Sequence, residues 1–334
     1  MAVKSQKLIP LIAILIIIGG LTYWWITGWK SGGVTFSDKD LESLPLAERE
    51  EAIKIDSFIT DLKETLAKFT GVLLYDENQN EFKLTSDSSP TLEATYYGVQ
   101  IIQGLKMNPN QKITPEAILE KVRSYYVPAG YYSEEGKEPV FSTGQALAIN
   151  VQYQEELGQE IDFDWLESNS LENENLESAK FDPQYQMAVL DIYNNLSYIE
   201  QKEIKTRIAP LYMDYYCNYS SSEIADEDYL RQKYYQTSII SYFNGLETIN
   251  NNCLKKDDVD FDKNKLIEIS FNDLDDIKEV YWFYRIQKFY NLRPDLKKVI
   301  AGTEKFYLTG GFKEKMTDEK PNLIGTYYGV LFIN

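Results

Sequence analysis

The chain has 334 residues, of which 43% are hydrophobic and 14% aromatic, so it can bury one large core or two ordinary ones. Its net charge of −18 argues against nucleic-acid binding, which needs a basic surface. The sequence contains no histidine, which excludes Ser-His and Cys-His catalysis and histidine-containing zinc sites. We therefore expect no metal and no cofactor.

Near the N-terminus, a charge-free run from Leu8 to Trp29 follows Lys4 and Lys7. A run of this length can cross a bilayer as a helix, and the aromatic residues at its far end suit an interfacial belt. Basic residues before a span favour a cytoplasmic N-terminus. The sequence predicts a stub and single-pass anchor at residues 1–30, a linker at 31–44, and an extracytoplasmic domain of the bacterial envelope at 45–334. A cleaved signal peptide is the alternative.

The pentapeptide Thr-Tyr-Tyr-Gly-Val occurs at residues 95–99 and again at 326–330. Repeated segments indicate a repeated structural unit. Degenerate copies begin at nearly constant intervals, at Thr143, Gln184, Lys233 and Val280. Each copy is apolar and aromatic with few charges, which is typical of a helix buried on most sides.

More polar helical segments alternate with these apolar ones. They are predicted at residues 45–69, 115–124, about 160–168, about 198–209, about 245–254 and 294–301. Two concentric rings satisfy this alternation, so the predicted fold is all-α, an (α/α)6 toroid of six helix pairs. The helices at 92–107 and 323–334 should meet to close the ring, and Gly98 and Gly329 should let neighbouring helices approach.

The final unit reads "FYLTGGFKEKMTDEKPNLIGTYYGVLFI", and the first and second units carry "SSPTLEATYYGVQII" and "AGYYSEEGKEPVFSTGQALAI". A Gly-Gly-Phe turn, a hydrophilic loop and then Pro-x-Leu-x-x-Thr-Tyr-Tyr resemble the repeat of protein prenyltransferase β subunits and squalene/terpene cyclases. The resemblance covers residues from about 45 to the end and implies an α/α toroid. Prenyltransferases hold zinc with Asp, Cys and His, and this chain lacks His, so the resemblance does not imply prenyl transfer.

Class II terpene cyclases use a D-x-D-D motif, and Asp273, Asp275 and Asp276 match it literally in "SFNDLDDIKEVYWFY". In that family the middle Asp, here Asp275, protonates an alkene. Aspartate just before a helix also serves as an N-cap, which is the simpler interpretation. The stretch "DDVDFDKN" places aspartates at alternate positions, as a calcium loop does, but it lacks the required Gly and Glu. It is interpreted as a solvated acidic loop.

These observations favour a binding or scaffold module without an intact catalytic set. Its partner is expected to be a peptide, an envelope polymer or a lipid. The candidate contact residues are the aromatic residues at the starts of the apolar helices: Tyr96, Tyr97, Tyr234, Tyr235, Tyr281, Trp282, Tyr327 and Tyr328. The alternative is a terpene-cyclase-like or carbohydrate-active enzyme with acidic residues at the toroid cavity. A disulfide between Cys217 and Cys253 is possible outside the cytoplasm.

Overall fold

The computed structural model describes residues 60–333, apart from 154–160, 174, 197, 221–223, 245–253 and 309. The predicted anchor at residues 8–29 lies outside this part of the chain. Within the described residues, no helix is long and apolar enough to cross a membrane.

The described chain is mostly helical, with three short hairpins. One set of helices comprises α1 at residues 60–68, continued by a π-helical turn at Phe69–Leu73, then α3 (Pro115–Arg123), α5 (Phe163–Ser168), α7 (Tyr198–Asn218), α9 (Lys256–Glu268) and α11 (Leu296–Glu304). Alternating with it is the set α2 (Leu92–Leu105), α4 (Pro139–Gln152), α6 (Pro183–Asn194), α8 (Tyr229–Asn244), α10 (Ile277–Phe289) and α12 (Leu323–Ile333). The prediction of an all-α protein is confirmed.

The even-numbered helices pack in a cycle. Contacts run from α2 to α4, α6, α8, α10 and α12 in order, and α12 packs back on α2. The odd-numbered helices attach to this cycle: α7 packs on α8 and α6, and α11 packs on α10. We call the even-numbered set the inner helices and the odd-numbered set the outer helices.

Three inner helices are preceded by an antiparallel hairpin that the sequence does not predict. The strands are β1 (Tyr75–Asp76) with β2 (Glu81–Phe82), β3 (Tyr126–Val127) with β4 (Tyr131–Tyr132), and β5 (Tyr307–Leu308) with β6 (Gly311–Phe312). They precede α2, α4 and α12. Strands of two residues carry too little alternating pattern to be read from sequence.

A buried threonine ties each hairpin to its helix. The backbone N–H of Phe82 donates to Thr95 Oγ1 at 3.1 Å, that of Tyr132 to Thr143 Oγ1 at 3.0 Å, and that of Phe312 to Thr326 Oγ1 at 3.1 Å. All three threonines are buried, so these bonds satisfy donors that water cannot reach. This is the physical reason that Thr opens the repeated pentapeptide.

The glycine of the pentapeptide makes room for the hairpin. A Cβ on Gly98 would lie 2.4 Å from the Phe82 ring, and one on Gly329 would lie 2.3 Å from the Phe312 ring. The expectation that these glycines let neighbouring helices approach was wrong. Each accommodates an aromatic ring of the hairpin that precedes its own helix.

The fourth inner helix replaces threonine with a charge. Lys233, fully buried, pairs with the equally buried Asp262 of α9, with Nζ and Oδ2 2.8 Å apart. Asp262 also accepts hydrogen bonds from the hydroxyls of Tyr229 and Tyr290, and Lys233 donates to Gln236 Oε1 at 2.6 Å. This polar cluster joins α8, α9 and the end of α10 in place of a hairpin.

Two outer helices differ from prediction. The fifth, expected at about 245–254, is found at Lys256–Glu268, and residues 245–253 lie outside the described part. The stretch read as a solvated acidic loop is therefore helical, because Asp262 has a buried partner that is distant in sequence. The fourth, expected to end near residue 209, continues to Asn218 and carries Pro210 inside it.

Cys217 lies in the last turn of α7, where it is buried and disulfide-bonded. Its partner lies outside the described residues.

Candidate functional site

The accessible positions of the inner helices recur on one side. Near the start of each inner helix lies the pair of positions at which the sequence predicts contact residues. On α2 the pair is Tyr96 and Tyr97, on α8 it is Tyr234 and Tyr235, and all four side chains are partly accessible. One helical turn later, every inner helix again has an accessible residue. These six residues, which we call the polar layer, are Gln100, Ala148, Asp191, Ser238, Arg285 and Leu331. Because the helices form a cycle, we expect these faces to point toward its centre, and we call that central region the hollow.

An arc of aromatic rings spans four of the six inner helices. Ring centroids are 5.1 Å apart for Tyr97 and Tyr327, 5.5 Å for Tyr281 and Tyr328, and 6.0 Å for Tyr234 and Tyr281. Trp282 stacks on Tyr234 at 6.0 Å, and Tyr96 packs edge-on against Tyr97 at 5.2 Å.

The structure thus brings all eight predicted contact residues into one continuous arc, which also includes the Tyr234–Tyr235 and Tyr327–Tyr328 pairs. Tyr281, Trp282 and Tyr328 are buried within it. The other five predicted residues are partly accessible.

Electrostatic coupling links side chains from non-adjacent helices of the cycle. In the cycle, α2 and α8 stand opposite each other, yet Tyr235 contributes to the raised pKa of Tyr97 after burial and the charge of Glu93. Tyr235 on α8 likewise contributes, after burial, to the raised pKa of Tyr328 on α12, which is not its neighbour. Side chains from non-adjacent helices therefore converge on the same space.

Asp191 is the acidic member of the polar layer. Its side chain is accessible to solvent, yet the surrounding protein raises its pKa to about 7 through burial. After burial, its charge helps raise the pKa of Tyr96 on α2, and that of Tyr242 on α8. Asp191 thus combines an accessible side chain with protein packed closely around it. Among the described residues, no ion pair or hydrogen bond neutralises it.

Arg285 is the basic member of the polar layer. Its NH1 donates to the Tyr281 hydroxyl at 2.8 Å, and its guanidinium lies 5.7 Å from the Tyr281 ring centroid. The aromatic arc therefore already holds one cation in the hollow. Burial alone accounts for the pKa of Asp191, so the two charges of the polar layer are not paired with each other.

The N-terminal rim of the hollow carries charges that are paired. Arg231 contacts Asp182 at 3.0 Å, Lys137 contacts Glu93 at 2.6 Å, and Lys278 contacts Glu314 at 2.5 Å. These pairs neutralise the rim locally, whereas Asp191 has no counter-ion among the described residues.

The D-x-D-D motif lies outside this hollow. Asp273 and Asp275 are exposed, and Asp276, not Asp275, is the N-cap of α10, its Oδ1 accepting from the N–H of Lys278 at 2.8 Å. Burial raises the pKa of Asp276, although Lys278 opposes that rise. The expectation that Asp275 caps the helix was wrong by one residue, because the Asp275 carbonyl instead accepts from Met316 N–H at 2.9 Å.

Within the described residues, no cluster of His, Cys, Asp or Glu could hold a metal ion. A separate open groove lies outside the cycle between α6, α7 and α8, lined by Phe181, Asp182, Tyr215, Tyr219 and Gln232 among others. Its carboxylate is already paired with Arg231, and its Gln232 accepts from Tyr219 at 2.6 Å. The groove thus offers fewer unsatisfied groups than the hollow.

No protein-family model, curated protein or solved structure matches this chain.

Sequence reasoning found the aromatic arc but missed Asp191 and Arg285. The available signal was position. Asp191 is a charge inside the otherwise apolar run "MAVLDIY", one turn after Met187, and Arg285 lies one turn after Tyr281. Extending the aromatic face by four residues in each repeat finds both.

Proposed function

We propose that this protein is an (α/α)6 toroid whose hollow binds a small ligand, and that it acts as a membrane-tethered binding module outside the cytoplasm. The observation that carries the proposal is the convergence of accessible tyrosines and Asp191 from non-adjacent inner helices. The closed cycle of inner-helix contacts supports the toroid. The eight residues of the aromatic arc form the wall against which the ligand packs.

The disulfide at Cys217 supports an extracytoplasmic domain, because disulfides persist in oxidising compartments. The anchor at residues 8–29 rests on the sequence pattern. Protease added to intact, wall-stripped cells should digest the domain. A domain that resists protease until the membrane is lysed would contradict this orientation.

A binding role is favoured over hydrolysis by the composition of the polar layer. Glycoside hydrolases need two carboxyl groups flanking the reacting bond. The described polar layer offers one, Asp191, beside Gln100, Ser238 and Arg285.

An enzymatic role is the second candidate, and Asp191 is the reason. An accessible carboxyl with a pKa of about 7 can donate a proton at neutral pH. A wild-type turnover of a carbohydrate or isoprenoid that is lost in Asp191→Asn, with ligand affinity retained, would favour this candidate over binding alone.

The binding proposal is tested by filling the hollow. Ala148 is the small member of the polar layer, and Ala301 is an exposed alanine on the outer helix α11. Native mass spectrometry of the full chain, extracted from its own membranes in mild detergent, should detect a retained ligand. We expect Ala148→Phe to lose that mass and Ala301→Phe to keep it. Equal retention by both variants, or no retained mass in the wild type, would contradict the proposal.

A further inference from the structure

Resting on the proposed function, we infer that the ligand group bound in the hollow is an alkylammonium ion, held between Asp191 and the tyrosine rings that face it. The inference names the chemistry of the ligand, which the proposed function leaves open. It follows from three features of the hollow: an accessible carboxyl without a counter-ion, facing aromatic rings, and a cation already held by the same arc.

The carboxyl supplies the charge. Asp191 has no ion-pair partner among the described residues, whereas the rim carboxylates Asp182, Glu93 and Glu314 each have one. A carboxylate surrounded by protein is poorly hydrated, so a cation that enters beside it gains more than one at the surface. The net charge of −18 also favours the approach of cations to the domain.

The rings supply the selectivity for an organic cation. Tyr235 lies on α8, which packs directly on α6, the helix of Asp191, and Tyr96 lies on α2, which packs on α4, the other neighbour of α6. After burial, the charge of Asp191 also contributes to the raised pKa of both tyrosines. The faces of tyrosine rings attract ammonium groups, and alkylated ammonium ions gain most because they shed their hydration readily. A small hydrated metal ion would gain little from such rings.

Arg285 provides a precedent within the same hollow. Its guanidinium lies 5.7 Å from the Tyr281 ring centroid, while Tyr281 also packs on Tyr234 and Tyr328. This part of the arc is occupied by the protein's own cation. The part that faces Asp191 has no such occupant among the described residues.

Among the described groups around it, Asp191 is the one expected to change its charge near neutral pH. The sequence of α4 contains no titratable side chain, and α7 contacts α6 through Gln186, on a side away from Asp191. On α8, Arg231 is paired with Asp182 and Lys233 with Asp262. The tyrosines that face Asp191 have raised pKa values, chiefly through burial, and stay neutral between pH 6 and 8: Tyr96, Tyr235 and Tyr242.

Calorimetry on the full chain in detergent tests the inference, with tetramethylammonium as the probe and 3,3-dimethylbutan-1-ol, the neutral isostere of choline, as the comparison. We expect the cation to bind and the neutral isostere to bind at least about tenfold more weakly. Affinity for the cation should rise about tenfold from pH 6 to pH 8 as Asp191 ionises, with proton release on binding at the lower pH.

Two variants separate the site from general electrostatics. Asp191→Asn should lose the pH dependence and weaken binding by at least about tenfold. Asp164→Asn removes the same charge from the exposed face of α5 and should leave binding within about twofold. Equal weakening in both variants would reduce the effect to net charge and overturn the inference.

Competition experiments distinguish a free ammonium ion from a lipid headgroup. They also separate the ammonium inference from the binding module on which it rests. A free quaternary ammonium ion such as choline should displace tetramethylammonium, whereas phosphatidylcholine nanodiscs should displace it only if a lipid headgroup reaches the hollow. A neutral oligosaccharide that binds in an Ala148-dependent manner while tetramethylammonium does not would overturn the ammonium inference and leave the binding module standing. Absence of any Ala148-dependent ligand would overturn both.

Discussion

The hairpin-bearing inner helices and the fourth inner helix solve one structural problem in two ways. In α2, α4 and α12, a buried threonine satisfies the backbone of a hairpin. In α8, the equivalent position is Lys233, whose ammonium is satisfied by Asp262 of the next outer helix. The comparison teaches that a polar group at this buried position needs a buried partner, which a hairpin or a carboxylate can supply, whereas α10 has the apolar Val280 there.

The largest expected effect is the loss of ring closure. Deleting residues 322–334 removes α12, which packs on both α2 and α10 and supports hairpin β5–β6. Because α2 loses a partner, the remaining domain should not unfold as one cooperative unit, as measured by thermal denaturation followed by circular dichroism. An unchanged melting temperature would contradict closure of the cycle.

The next largest effect is expected at the charged unit. Asp262→Ala leaves Lys233 buried without its carboxylate and should lower the free energy of unfolding by about 3–5 kcal/mol. Burial already lowers the pKa of Lys233, so the ammonium depends on this partner. The double variant Lys233→Met with Asp262→Leu should recover most of the loss in urea denaturation. A single variant as stable as wild type would show that the pair is dispensable.

The hairpin units should be less sensitive. Thr95→Val keeps the shape of the side chain but removes the acceptor of the Phe82 N–H, at a cost of about 1–3 kcal/mol. Thr95→Ser retains the acceptor and is the matched control. If urea denaturation gives the same free energy for both variants, the hydroxyl is not what holds the hairpin.

The smallest effect on stability is expected for alanine substitutions at two glycines of the inner helices, Gly98 and Gly144. Gly98→Ala should cost about 1–3 kcal/mol because its Cβ would lie 2.4 Å from the Phe82 ring. Gly144→Ala meets its nearest neighbour, the Ala188 carbonyl, at 3.6 Å and should be neutral or stabilising by about 0.5–1 kcal/mol. Similar melting temperatures for the two variants would remove the argument that glycine is needed for the hairpin ring.

The helical repeat could be read from sequence because its period is long and its inner helices are strongly apolar. The bounds of α2 and α12 agree with prediction to within two residues. The hairpins could not be read, since strands of two residues have no pattern and their stability comes from Thr95, Thr143 and Thr326. The helix at Lys256–Glu268 was missed because the partner of Asp262 is 29 residues earlier in the chain, beyond the reach of local spacing.

The candidate site was predictable in part. Pairs of tyrosines at the helix starts pointed to the aromatic arc, because aromatic residues dominate buried contacts between helices. Asp191 was not distinguished from the chain's other acidic residues, because its character comes from the protein around it. The packing of α8 beside it and the presence of α2 beyond α4 turn an ordinary aspartate into one with a raised pKa.

The most direct test of the hollow is the titration of Asp191 itself. Carboxyl carbon NMR on selectively labelled protein, with the signal assigned by its absence in Asp191→Asn, gives the pKa without any ligand. A midpoint near the value of about 7 that burial imposes is the expected result. Because the pKa is raised on folding, wild-type stability should also fall as pH rises from about 4 to 7, and Asp191→Asn should not share that part of the decline. A midpoint near 3.8, the ordinary value for an aspartate, would place Asp191 on an open surface and contradict a hollow enclosed by the six inner helices.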